Sequence, residues 1–149
     1  MVDTIGSTSV TSAIVAVNSS HTSAIDFNGD TDLFRVSLTA GTTYIFDLEG
    51  LDTFDNPGAT LINPWLTLKD ASGTVLAADN DSGIGASSRI YFTPSVSGAY
   101  YLSAEEFGHN ATGTYTVRVG SAPVAGSIAV GGSQTGSVDY AGDTDLWQV

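Results

Sequence analysis

Cysteine is absent from the 149 residues, and basic side chains number only 4 against 16 acidic ones. The first absence excludes a disulfide framework and a thiolate zinc site. The second argues against nucleic acid, because phosphate neutralisation needs clustered cations. Here Arg35, Lys69, Arg89 and Arg118 stand singly in a chain of net charge −12. Two histidines, His21 and His109, leave little for a His-based metal centre. No apolar run approaches the roughly 18–20 residues of a membrane span, and MVDTIGSTSV lacks the basic start and apolar stretch of a signal peptide. Charge is sparse overall, at 13% of residues, while 42% are hydrophobic. That composition closes the low-hydrophobicity route to disorder and supplies the core of one domain. Oxygen-bound calcium stays open.

The apolar residues recur at period two, the signature of half-buried strands. Phe34, Val36 and Leu38 share one face, as do Tyr44, Phe46 and Leu48, then Leu66 with Leu68 and Ile90 with Phe92. Tyr100, Leu102 and Ala104 follow, and Tyr115, Val117 and Val119. Thr39-Ala40-Gly41, Asp70-Ala71-Ser72-Gly73 and Pro94-Ser95-Val96-Ser97-Gly98 carry turn chemistry between these runs. The expected fold is all-β: an antiparallel, jelly-roll-like β-sandwich of about 8–9 strands. Two long irregular stretches, 50–63 and 79–88, are where a site is expected.

An ungapped offset of 113 residues lays Val15–Val36 on Ile128–Val149, with 11 of 22 positions identical. Asp26, Gly29, Asp30, Thr31, Asp32, Leu33 and Val36 reappear as Asp139, Gly142, Asp143, Thr144, Asp145, Leu146 and Val149. The expected organisation is a flexible segment 1–12, a sandwich 13–119, a Gly/Ala/Ser/Pro linker 120–127 and the truncated start of a second repeat at 128–149. The chain is thus expected to be a piece of a tandem array, monomeric in isolation, whose partners are neighbouring domains of the same chain.

GDTDLFRVSLTAGTTYIFDL, LTLKDASGTVLAADND, RIYFTPSVSGAYYL and GTYTVRV occur in this order over roughly Ser20–Val119. Together they resemble the bacterial pre-peptidase C-terminal domain, a β-sandwich module appended to secreted proteins. The resemblance implies a non-catalytic accessory role in a secreted or cell-surface bacterial protein, either a peptidase or a calcium-rich repeat exoprotein. The loop Leu51–Gly58 departs from the family by its length and its acidity.

Acidic clusters are the main chemistry candidates. In Asp26-Phe27-Asn28-Gly29-Asp30-Thr31-Asp32, oxygen ligands recur every second residue, a spacing that can wrap Ca²⁺. It is not an EF-hand, since Thr31 stands where Gly is required and Ser37 where Glu is required. Asp32 has core parity and needs a partner. One reading gives Asp30 and Asp32 backbone amides in a local turn. The other gives them a calcium ion shared with Asp79, Asn80 and Asp81. Asp52 and Asp55 offer a second acidic site.

Catalysis is not expected. HExxH, GxSxG, P-loop and dinucleotide fingerprints are missing, and the adjacent Glu105 and Glu106 should point to opposite faces of a strand. His21 falls opposite Gln134 in the second copy, and His109 reads as a loop tip. A rival reading is an adhesion module for extracellular protein or glycan. Trp65, Tyr91 and Tyr101 have parity opposite to the core and could form an outward aromatic platform.

Overall fold

A computed structural model describes residues 5–8, 12–51 and 58–122, together with the backbone of 126–127 and 147–148. The period-two runs become strands: β1 (Ala13–Ile14), β2 (Ser19–Ile25), β3 (Thr31–Leu38), β4 (Tyr44–Glu49), β5 (Pro64–Lys69), β6 (Val75–Asp79), β7 (Ser88–Phe92), β8 (Gly98–Glu106) and β9 (Gly113–Ser121). They form two sheets, β1-β3-β8-β5-β6 and β2-β9-β4-β7. Pairing is antiparallel except for β1, which runs parallel to β3 with Ala13 opposite Phe34 and Ile14 opposite Arg35. The nine-stranded all-β sandwich agrees with the sequence reading. Two further short strands, β10 (Gly126–Ser127) and β11 (Trp147–Gln148), pair parallel to each other.

The two sheets bury the faces that parity assigns. Phe34, Phe46, Leu48, Leu66, Leu68, Leu102, Ala104, Tyr115 and Val117 have no exposed surface. Fully burying a Leu or Phe side chain stabilises by roughly 1.5–3 kcal/mol, so these inner faces hold the sheets together. Ile5, Val15, Ile25 and Leu61 join the same core. Ile5 corrects the expectation of a flexible segment 1–12: its side chain is packed inside, and the neighbouring Gly6 carbonyl accepts a bond from the Leu33 amide at 3.3 Å. The expected linker 120–127 is likewise too long at its start. Gly120 and Ser121 belong to β9, and the Ala122 amide donates to the Thr43 carbonyl at 2.8 Å.

Register sorts the loops by end. Ile25 lies opposite Gly113, Thr31 opposite Glu105, Pro64 opposite Glu106, Leu66 opposite Asp79, and Leu48 opposite Ser88. The connections 26–30, 50–63, 80–87 and 107–112 therefore all emerge at one end. The other end carries short turns. Gly41 (φ 79°) and Gly73 (φ 87°) take the left-handed conformation there. Asp70 Oδ1 accepts the Ser72 and Thr74 amides at 2.8 and 2.9 Å. Of the ten acidic residues among those described, eight (Asp26, Asp30, Asp32, Glu49, Asp79, Asp81, Glu105 and Glu106) sit at or beside the long-loop end.

Candidate functional site

The loop from β2 to β3 is built around its carboxylates. Gly29 turns the chain at φ 82°, the Asp30 amide donates to the Phe27 carbonyl at 3.0 Å, and Asp30 folds back over the turn. Its Oδ2 accepts the Asp26 amide at 2.7 Å and its Oδ1 the Thr31 amide at 2.9 Å. Two residues on, Asp32 points into the core as parity requires and is fully buried. It accepts the hydroxyl of Tyr115, which reaches across from the opposite sheet. Burial and the adjacent Asp32 carboxylate push the Tyr115 phenol far above its ordinary range, so it stays a donor. Asp30 is only 3% exposed. Two carboxylates are thus buried together at the start of β3.

The second acidic cluster is held in the same manner. Asp79 Oδ2 accepts the amides of Arg89 and Ser82 at 2.8 and 3.0 Å. Burial pulls its pKa up, but these hydrogen bonds outweigh it and leave the carboxyl below its usual range. Asn80 donates to Asp81 at 2.8 Å, and its carbonyl accepts from Ser88 Oγ at 3.1 Å.

The clusters do not meet. Asp32 pairs with Ala104, Ala104 with Leu66 and Leu66 with Asp79, one row crossing β3, β8, β5 and β6. Three strand spacings separate the ends of that row by about 14 Å, whereas Ca²⁺ ligands lie about 2.3–2.6 Å from the ion. A single ion shared by Asp30 and Asp32 with Asp79, Asn80 and Asp81 does not fit this sheet. Among the described residues, no group of three or more His, Asp or Glu side chains is placed to hold a metal ion. The oxygen donors of Asp26, Asp30 and Asp32 alone suit a hard cation in kind. Asp52 and Asp55 lie outside the described residues.

The three outward aromatics are not one platform. Trp65 and Tyr101 lie on the outer face of the five-stranded sheet, opposite Glu105 and Lys69 respectively, four residues apart along the strands, and Tyr91 projects from the other sheet. Trp65 is covered by Phe107, with ring centroids 5.3 Å apart. Tyr91, at 60% exposed, is the open one.

Pairing on the outer face of the four-stranded sheet was not foreseen. Arg89 makes a two-pronged bond to Asp47 at 2.5 and 3.1 Å, and Arg118 Nε bonds both oxygens of Glu49 at 2.9 Å. The bond to Asp47 raises the Arg89 pKa further. Two of the four bases are thereby tied to buried acids. The available signal was the parity of Ile45, Asp47 and Glu49 on the most buried strand of the sheet.

Glu105 and Glu106 take opposite faces as expected. Glu105 accepts Ser103 Oγ at 2.7 Å, while Glu106 accepts the Asn110 amide at 2.9 Å. His109 caps that loop at φ 53°, 3.8 Å from Glu105, and His21 lies edge-on to Phe34 with centroids 5.3 Å apart.

Residues 30–121, from the buried Asp30 to the last residue of β9, match the bacterial pre-peptidase C-terminal domain family. The chain belongs to that family. Such a pre-peptidase C-terminal domain is an accessory part of a larger protein and is generally non-catalytic. The 1.0 Å crystal structure of the pre-peptidase C-terminal domain of collagenase from Bacillus anthracis superimposes with a TM-score of 0.56 at 18% identity, covering 72% of this chain and 93% of that one. PliG, a periplasmic inhibitor of g-type lysozyme from Aeromonas hydrophila, superimposes with a TM-score of 0.50 at 12% identity, covering 72% and 96%. At these identities the likeness is one of fold. No curated protein matches the sequence. No helix among the described residues is long and apolar enough to cross a membrane.

Proposed function

We propose that this pre-peptidase C-terminal domain is a non-catalytic spacer or anchoring unit within a repeat-containing, secreted or cell-surface bacterial protein. One observation carries the array: β10 and β11 pair Gly126 with Trp147 and Ser127 with Gln148, each residue 113 positions beyond the Ala13–Phe34 and Ile14–Arg35 pairs of β1 and β3. The duplicated sequence is therefore accompanied by a duplicated parallel pairing. The buried positions Val15, Ile25 and Phe34 recur as Ile128, Val138 and Trp147, and the buried Asp30 and Asp32 as Asp143 and Asp145. Residues 5–122 then form one unit, and Gly126 begins the next. Deleting residues 123–149 tests the boundary. The shortened protein should unfold cooperatively at a midpoint within about 2 °C of the full chain, since distant independent parts contribute additively. A shortened protein that fails to fold would make the C-terminal segment part of the same domain and end the array reading.

A calcium ion at the β2–β3 loop belongs to this reading, supported by the burial of Asp30 and Asp32 two residues apart. Like charges removed from water favour a bound cation, and Asp30 and Asp32 would supply its carboxylate ligands. The chemistry supplied is structural: charge neutralisation and tethering of the loop. Free calcium at 100 times its dissociation constant should stabilise by about 2.7 kcal/mol. The check is a melting curve in EDTA and in excess calcium, with Asp30→Ala removing the difference. Identical curves for the unsubstituted chain refute the ion.

A further inference from the structure

We propose that Asn28 is a self-modification site, at which the amide nitrogen of Gly29 attacks the asparagine side chain and the link converts to aspartate and isoaspartate without an enzyme. Of the six asparagines in the chain, Asn28 is the one followed by glycine. The step requires a backbone nitrogen to reach the carboxamide of the residue before it. A glycine, lacking Cβ, leaves that approach open and its own backbone free to turn.

The structure singles out the same residue. Asn28 and Gly29 are exposed at the tip of the β2–β3 loop. Gly29 stands at φ 82°, with no atom within 4 Å of the place a Cβ would take. Among the described residues, neither the Asn28 side chain nor the Gly29 amide has a hydrogen-bond partner, so no bond must break before the two meet. The turn is tied on either side of them, by the Asp30 amide to the Phe27 carbonyl at 3.0 Å and by Asp30 Oδ2 to the Asp26 amide at 2.7 Å. The other asparagines are held or blocked. Asn18 Oδ1 accepts the Ser121 amide at 3.0 Å, and Asn80 Nδ2 donates to Asp81 at 2.8 Å. Asn56 and Asn63 precede proline, whose nitrogen has no proton to lose, and Asn110 precedes alanine, whose Cβ hinders the approach that Gly29 allows.

In the first step the Gly29 nitrogen gives up its proton and bonds to Asn28 Cγ. The Cγ–Nδ2 bond breaks, the leaving nitrogen departs with a proton as ammonia, and a succinimide ring closes. One water then opens the ring. Cleavage at Cγ leaves aspartate, whereas cleavage at the Asn28 backbone carbonyl leaves isoaspartate, with the main chain rerouted through the side chain. One water is consumed, one ammonia is released, and nothing is oxidised or reduced. The product fills the gap in the alternating series Asp26, Asp30 and Asp32 with a further carboxylate. At the offset of 113 residues the second copy has Ala141 in this position, so the site belongs to the first copy alone.

The test is incubation of the full chain in mildly alkaline buffer made with H₂¹⁸O, followed by peptide mapping and by isoaspartate detection with an isoaspartyl methyltransferase. The peptide containing residue 28 should gain the amide-to-acid mass with one ¹⁸O and yield both aspartate and isoaspartate. It should react at least about tenfold faster than any other asparagine peptide, equivalent to a barrier lower by about 1.4 kcal/mol. The rate should rise with pH, because the attacking nitrogen must lose its proton. Asn28→Ala, which installs the residue of the second copy, should abolish the acidic variant on ion exchange. The proposal is overturned by faster reaction at another asparagine, or by aspartate formed without isoaspartate, which is direct hydrolysis that bypasses Gly29. It is also overturned by an Asn28 that stays intact in the folded chain, whether or not the urea-unfolded chain reacts.

Discussion

Asp32 and Tyr115 meet across the sandwich, one from each sheet, 83 positions apart in sequence. Removing the phenol leaves a fully buried carboxylate without this donor. Tyr115→Phe should therefore cost about 1–3 kcal/mol, the range for stranding a buried polar group, read as a lower urea midpoint at unchanged slope. Asp79 works from a more exposed position, as an acceptor that ties the start of β7 to the end of β6. Its folded pKa lies below the ordinary carboxylate value, so it stabilises the fold above that value and the contribution is lost as pH falls through the folded one. Asp79→Asn should lower the melting temperature at neutral pH, and the difference should shrink as pH falls below the ordinary carboxylate value. A pH-independent difference would show that the side chain acts through shape alone. Neither role was legible residue by residue. Parity placed Asp32 inward, but its partner comes from β9, and only the fold brings them together.

At the level of elements, the strands were legible because one rule, alternation, decides both the face and the extent of each run. The long stretch 50–63 obeys no such rule, and half of it proved to be architecture. Leu61 is fully buried, its carbonyl accepts the Leu51 amide at 2.7 Å, and its amide donates to the Thr114 carbonyl at 3.0 Å. The segment closes the long-loop end of the core like a plug. Two glycines make room for it. A Cβ on Gly113 would stand 2.5 Å from the Leu61 nitrogen, and one on Gly50 would stand 2.2 Å from the Leu61 carbonyl oxygen. Both obstacles are backbone and cannot swing aside. Gly113→Ala should destabilise by about 1–3 kcal/mol, the usual cost of overpacking, measurable by chemical denaturation. A neutral result would mean that the plug shifts freely. Ile5 and Val15 escaped the reading for the same reason as Leu61: isolated apolar residues in Ser/Thr-rich segments carry no period.

For the whole molecule, composition excluded classes of partner, and the repeated GDTDL and the order of the strand motifs pointed to the family. The register across four strands was not in the sequence, and that register separates Asp32 from Asp79. Loop placement was equally hidden, because which connections share an end depends on sheet order. Its outcome is that eight acids gather at one pole while the opposite pole holds short turns with Asp70 as their one described acid. Over the Debye length, about 8 Å at physiological salt, a basic group approaching the described residues is therefore drawn first to the long-loop end.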